Sequence, residues 1–289
     1  MIIHMARVIR LKEQQRNRNR PARPTEQALK RSDGSIADLE YPMDTDENGF
    51  ILTGANILEN RKNVFCIGGS FVESSFAQPH ERFVARAAST LDANVFNAGY
   101  SGTTLLQACV MIMTKLPTIA AKGDLIVLFS SQSDANASRL QGGYWNNNST
   151  YTAIKPKSGT DPRWENSFAD TRALLETIST FCKGMELELA LVVSPFRYLD
   201  WQTDKWARLN FGNKRVMSEF RQARESLSNT YRKTAQAHGI PVLDMEASIQ
   251  GDPKLFYDEM HFNAMGQEVG AELLTTFLSD NLGVNKAAL

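Results

Sequence analysis

The chain has 289 residues, enough for one large domain or two small ones, and its 42% hydrophobic content is ordinary for a globular protein with a packed core. Its 32 basic and 32 acidic residues cancel, so global charge argues neither for nor against a polyanionic partner. No run approaches the roughly 18 apolar residues of a membrane span, and the start, Met1 to Arg7, lacks a signal-peptide apolar core, so a cytoplasmic location is the expectation.

Residues 1–60 read as a separate arm. Arg7, Arg10, Lys12, Arg16, Arg18, Arg20 and Arg23 form a basic stretch running into Pro21 and Pro24, and a polar, acidic piece follows through Asp44 and Glu47. A solvated arm packed on the domain or on a neighbouring subunit is expected, with a contact to an acidic protein partner as the sharper alternative. The arm lacks the interleaved aromatics of a nucleic-acid binder, so no nucleic acid is expected.

From residue 61 to 289 short apolar runs alternate with helical patterns. Val64–Ile67, Val95–Asn97, Leu125–Phe129, Leu189–Val193 and Ile240–Leu243 read as five buried strands. Val216, Phe220, Ala223, Leu227, Tyr231 and Ala235 lie on one face of an amphipathic helix that Gly239 stops. A last helix starts after Asn263, with Met265, Val269, Leu273 and Phe277 expected to be buried. The alternation predicts an α/β fold, a three-layer α/β/α sandwich around a mostly five-stranded parallel sheet. Cys66, Cys109 and Cys182 have no CxxC spacing and read as reduced core thiols.

Sites on such sheets lie beyond the carboxyl ends of the strands. Ser70 follows the first strand, Gly99 the second, and Ser131 to Asp134 the third; Asp258 and His261 come after the fifth. A serine hydroxyl becomes a good nucleophile when a base takes its proton and a third group orients the base. Of the four histidines, His4 lies in the arm, His80 follows Pro79 at a helix start, and His238 sits at a helix end. Only His261 has a carboxylate three residues away in a loop, which makes it the best candidate base for Ser70. Position 72 is valine, so there is no Gly-x-Ser-x-Gly elbow, and no P-loop, GxGxxG or HExxH is present. No cofactor and no metal are expected.

Four fragments in order, Gly68-Gly69-Ser70, Asn97-Ala98-Gly99, Ser131-Gln132-Ser133-Asp134 and Asp258-Glu259-Met260-His261, resemble the blocks of the SGNH or GDSL hydrolases over about residues 61 to 280. The resemblance implies a flavodoxin-like hydrolase domain. Ser70 would be the nucleophile, His261 the base and then the acid, and Asp258 the group that orients His261. The N–H groups of Ser70 and Gly99 would hold the oxyanion. The third block departs from the family pattern: its glycine is Ser131 here, and its asparagine, the third oxyanion donor, is Ser133. Loss of one such donor costs about 3 kcal/mol in a well-studied protease. Gln132 and Asn136 are alternative donors.

Two aromatic loop stretches, around Tyr144-Trp145 and around Arg197-Tyr198, offer flat apolar faces beside polar groups. They suit a carbohydrate or another small polar ester and are expected to touch substrate; packing of the loops is the competing reading. The expected activity is hydrolysis of a short acyl ester. Acyl transfer at the same site and a catalytically weak binding or assembly protein are the alternatives.

Overall fold

The computed structural model describes residues 8–9, 11–140, 143–145, 154–155 and 168–287, without the side chains of 8, 9, 145, 154 and 155. In chain order the elements begin with β1 (Val8–Ile9), α1 (Glu26–Arg31), β2 (Asn63–Gly68) and α2 (Ser70–Glu73). Then come α3 (Phe83–Thr90), β3 (Asn94–Gly99), α4 (Leu105–Thr114), β4 (Leu125–Phe129) and α5 (Gln132–Ser138). β5 (Ile154–Lys155), α6 (Ala169–Gly184), β6 (Glu188–Val193), α7 (Lys205–Asn210) and α8 (Lys214–His238) follow. β7 (Val242–Asp244), α9 (Met245–Ile249) and α10 (Ala264–Leu282) complete the chain.

Five of these strands form one parallel sheet in the order β3-β2-β4-β6-β7. Successive side chains of a strand point to opposite faces, and here both faces are covered. Val64, Cys66, Leu125, Val127 and Val192 enter one core with α3, α9 and α10. Phe65, Ile67, Ile126, Leu128 and Leu191 enter the other with α4, α6 and α8. Full burial of each such side chain contributes roughly 1.5–3 kcal/mol, which is why these runs read as continuous apolar stretches. The chain leaves β2 for β3 on one side and reaches β4 on the other. Ser70, at the carboxyl end of β2, therefore stands at the point where the strand order reverses, where open α/β sheets form their clefts.

The predicted face of the last helix is observed in part: Phe277 is buried, and Val269 and Leu273 are half-buried against the same core. Met265 is 54% exposed, and α10 also buries Gly266, Gly270, Ala271, Leu274 and Leu278. The glycines set this face: a Cβ at Gly270 would lie 2.6 Å from the Phe262 ring, and one at Gly266 would collide with the Leu255 carbonyl. Side-chain size alone points to Met265 as a core residue, whereas close approach selects the glycine side. On α8 the predicted face is observed from Phe220 to Ala235, while Val216 is exposed and Met217 is buried.

The described part of the arm is a wall of the domain. Tyr41, Met43, Phe50 and Ile51 are buried, and the Ile51 N–H donates to the Asn97 carbonyl at 2.8 Å, along the free edge of β3. Phe50 packs against Phe65 and Phe96, with ring centroids 5.7 and 5.3 Å away. Among the described residues, no helix is long and apolar enough to cross a membrane.

Candidate active site

The β2–α2 junction turns within two glycines. A Cβ at Gly68 would lie 2.6 Å from the Val72 side chain, and one at Gly69 would lie 2.6 Å from Ser131 Oγ. Only glycine lets the strand end run straight into a helical turn at this distance from its neighbours. The turn places Ser70 first in α2, half-buried, at the carboxyl edge of the sheet.

The loop before α10 comes to meet it. His261 Nε2 lies 2.7 Å from Ser70 Oγ, and His261 Nδ1 lies 2.7 Å from Asp258 Oδ2. The other carboxylate oxygen, Asp258 Oδ1, accepts the N–H groups of Met260 at 2.9 Å and His261 at 2.8 Å. Residues 191 apart in sequence thus form one continuous hydrogen-bonded chain. Its orientation is fixed from below: Asn263 caps α10 by accepting the Gly266 N–H at 3.1 Å, and the Tyr257 ring stacks on His261, with centroids 5.4 Å apart and planes 13° apart.

The charges follow from these contacts. Burial opposes ionisation of Asp258, but the nearby His261 and the two N–H donors outweigh it and hold the carboxyl below the usual carboxylate range. Burial likewise disfavours the His261 cation, yet the charge of Asp258 and its hydrogen bond outweigh that and raise the imidazole above its ordinary value. The side chains of His261 and Asp258 keep 18% and 16% of their surface open, so a ligand can reach the imidazole edge. The arrangement can take a proton from Ser70 and hold the resulting cation.

The remaining sequence candidates fall differently. The Gly99 N–H is already donated to Asn97 Oδ1 at 2.9 Å, so it does not serve an oxyanion. Asn97 is itself pinned, its Nδ2 donating to the Val72 carbonyl at 3.0 Å. Gly99 is needed for another reason, because a Cβ there would collide with the backbone of Glu73. In the turn that follows, Tyr100 N–H donates to the Gly68 carbonyl and Thr103 N–H to the Tyr100 carbonyl, both at 3.1 Å. The N–H groups of Ser101 and Gly102 donate to no acceptor among the described residues. Gly102 has φ of +79°, which explains why the turn needs glycine there. That the Gly99 N–H is taken by Asn97 could not be read from the sequence, because the hydrogen-bond partner of a backbone N–H leaves no mark on residue type.

Ser131 caps α5. Its Oγ donates to the Thr103 carbonyl at 2.7 Å and accepts the Ser133 N–H at 3.2 Å. The Ser133 hydroxyl bonds to no described residue. Gln132 Nε2 donates to Asn136 Oδ1 at 2.9 Å, so these two amides are engaged with each other. Asp134 is buried and accepts the Leu105 N–H at 2.7 Å and the Tyr144 hydroxyl at 2.8 Å.

Tyr144, expected at the substrate, is thereby tied into the core, where its hydroxyl also meets Thr171 Oγ1 at 3.0 Å. The side chain of Trp145 lies outside the described residues. Arg197 is committed as well. Its guanidinium donates to the Pro253 carbonyl at 3.3 Å, pairs with Asp204 at 3.5 Å and sits 4.7 Å from the centre of the Trp206 ring. Packing of the loop is what Arg197 and Trp206 do. Tyr198 remains available, 53% exposed with Arg221 over its ring.

Sequence reading also missed Glu73, Tyr257 and Gln14. Glu73 had a signal, a carboxylate three residues after Ser70 on one helical turn; Gln14, in a polar arm, had none.

A five-stranded parallel sheet with helices on both faces and these loops at its carboxyl edge is the fold of the SGNH, or GDSL, hydrolases. No protein-family model matches the sequence, and no curated protein matches it. Among solved structures, the chain is similar to the lipase/acylhydrolase from Enterococcus faecalis, with 17% identity and a TM-score of 0.52 over 79% of this chain and 100% of that one. It is similar to a GDSL-like lipase from Bacteroides thetaiotaomicron, with 13% identity and a TM-score of 0.50 over 79% and 91% of the two chains. An acetyl xylan esterase from Geobacillus stearothermophilus gives 14% identity and a TM-score of 0.50 over 81% and 99%. At these identities the likeness is one of fold.

Proposed function

We propose that the protein is a serine esterase that removes a short acyl group, such as acetyl, from a carbohydrate or another small polar substrate. The observation that carries this reading is the unbroken chain Ser70 Oγ, His261 Nε2, His261 Nδ1, Asp258 Oδ2, with 2.7 Å at each of its two hydrogen bonds.

In this reading Ser70 Oγ attacks the ester carbonyl carbon while His261 Nε2 takes the hydroxyl proton. The carbonyl π electrons move onto oxygen, and the N–H of Ser70 with those of Ser101 and Gly102 offer hydrogen bonds to that oxyanion; the Ser133 hydroxyl is the fourth candidate donor. The C–O bond to the alcohol then breaks, and the imidazolium returns its proton to the departing oxygen. Water, deprotonated by His261, attacks the acyl-enzyme and releases the acid and free Ser70. An alcohol entering in place of water would make the same site an acyltransferase.

The substrate class rests on the exposed Tyr198 face and on the acetyl xylan esterase among the structures of like fold. Purified protein is expected to hydrolyse a short acetyl ester and acetylated glycans, with Ser70→Ala inactive on both. Strong hydrolysis of long-chain acyl esters with no action on acetylated sugars would reverse the substrate assignment. Equal turnover by wild type and Ser70→Ala would end the serine reading.

A further inference from the structure

We propose that the N-terminal arm is a working part of the site, with Gln14 and Lys12 acting as positioning residues for the turn, Tyr100 to Thr103, that offers N–H groups to the oxyanion. The inference rests on the serine-esterase reading and adds to it a group that catalysis needs from outside the hydrolase core.

Glu73 lies three residues after Ser70, is buried, and has its side-chain hydrogen bonds to Gln14 and Ser101 rather than to Ser70 or His261. Each of its oxygens has one partner from a different wall. Oε1 accepts Gln14 Nε2 from the arm at 2.8 Å, and Oε2 accepts the Ser101 hydroxyl from the turn. Gln14 is only 4% exposed, and its amide is set the right way round because its Oε1 accepts Arg18 Nη1 at 2.8 Å while its Nε2 also reaches the Gly99 carbonyl at 3.4 Å. One residue further along the turn, Lys12 Nζ donates to the Gly102 carbonyl at 2.9 Å. The arm therefore holds the turn at its base, at Gly99, and at its tip, at Gly102. Between those two points lie the N–H groups that have no acceptor among the described residues.

The physical consequence is specific. Oxyanion donors act through preorganisation: they are worth most when they already point where charge will develop. A turn containing a glycine with positive φ has many accessible conformations once its anchors go. Loosening it would leave ground-state binding almost untouched, because the neutral ester carbonyl draws little from these donors, and would weaken stabilisation of the tetrahedral species. A role confined to folding would instead lower thermal stability with no selective effect on the transition state.

The test compares wild type, Gln14→Ala, Lys12→Met and Lys12→Arg on a short acetyl ester and measures the inhibition constant of a phenylboronic acid, whose adduct on Ser70 is tetrahedral and anionic. Lys12 is half-exposed, and methionine keeps its stem, so that variant reports even where Gln14→Ala folds poorly. The expected result is a fall in kcat of about tenfold or more for Gln14→Ala and several-fold for Lys12→Met, with KM within about twofold. Boronate affinity should weaken in proportion to kcat, and Lys12→Arg should recover most of the loss. Gln14→Ala and Ser101→Ala, which act through the same carboxylate, should be less than additive when combined. Wild-type kcat and boronate affinity in both Gln14→Ala and Lys12→Met would overturn the inference while leaving the esterase reading standing. A wild type that hydrolyses no ester and takes no boronate would overturn the esterase reading itself, and this inference with it.

Discussion

The ends of β2 and β4 stand side by side on the same sheet edge, yet they use their polar groups in opposite ways. After β2, the two glycines deliver Ser70 with its hydroxyl turned toward His261 and open to an incoming molecule. After β4, Ser131 turns its hydroxyl inward to the Thr103 carbonyl, and Asp134 is buried beneath it with Oδ2 meeting no partner. In the proposed reading the first end moves a proton, whereas the second holds a loop still. The lesson is that a serine or aspartate at a strand end becomes reactive or structural according to which neighbour the backbone aims it at.

Breaking the reactive end should have the largest effect. Asp258→Asn keeps the shape of the loop but removes the charge that orients and stabilises the His261 cation. A fall in kcat/KM of about a thousandfold to ten-thousandfold is expected. The pH profile supplies the sign. His261 works as a base only when neutral, and Asp258 raises its proton affinity. Wild-type kcat/KM should therefore climb with pH through a midpoint above the ordinary histidine value, and Asp258→Asn should move that midpoint down. A profile that stays where it was would separate Asp258 from the imidazole.

An intermediate effect tests the boundary between the two ends. Ser133→Ala removes the one hydroxyl of the α5 cap that bonds to no described residue, and kcat is expected to fall about tenfold to a hundredfold with little change in KM. Ser131→Ala, by contrast, removes a cap worth about 1 kcal/mol, so thermal denaturation should show a lower Tm and kinetics a smaller change. Reversed outcomes would exchange the roles of the two serines.

The smallest effect sharpens the structural end. Burial pushes Asp134 up to about 6, against the hydrogen bonds from Leu105 and Tyr144 and the charge of Arg224. The folded protein then holds a proton that the unfolded chain releases near 4. The stability this contributes is fully present below the unfolded value and is lost as pH rises through about 6, on the order of 2–3 kcal/mol. Asp134→Asn keeps an oxygen for Leu105 and Tyr144 and carries no charge to bury. Chemical denaturation of this variant should show a flatter dependence of stability on pH between about 4 and 6.

The parallel sheet was legible because burial on both faces demands continuous apolar runs; Leu125–Phe129 matches its strand residue for residue. That Ser70, Asp258 and His261 lie together was legible because few residue types can share a proton, and the chain has only four histidines. The arm was not. Tyr41, Met43, Phe50 and Ile51 anchor it at irregular intervals, and a segment without a repeating backbone conformation has no hydrophobic period to read. The contacts that engage Tyr144 and Arg197 were not legible for a related reason. An aromatic or a guanidinium suits a ligand and a core contact equally well, and only the position of Asp134, Trp206 and Asp204 decides between them. The glycine side of α10 shows the same limit, because the value of a glycine lies in the contact it permits.

The central claim is that Ser70 is a nucleophile activated by His261. The most direct measurement is intact-protein mass spectrometry after exposure to a fluorophosphonate, with the labelled peptide mapped, for wild type, Ser70→Ala and His261→Ala. The account predicts one phosphonyl adduct on Ser70 in wild type, none in Ser70→Ala, and slowing by orders of magnitude in His261→Ala. An unlabelled wild type, or equal labelling of wild type and Ser70→Ala, would contradict it.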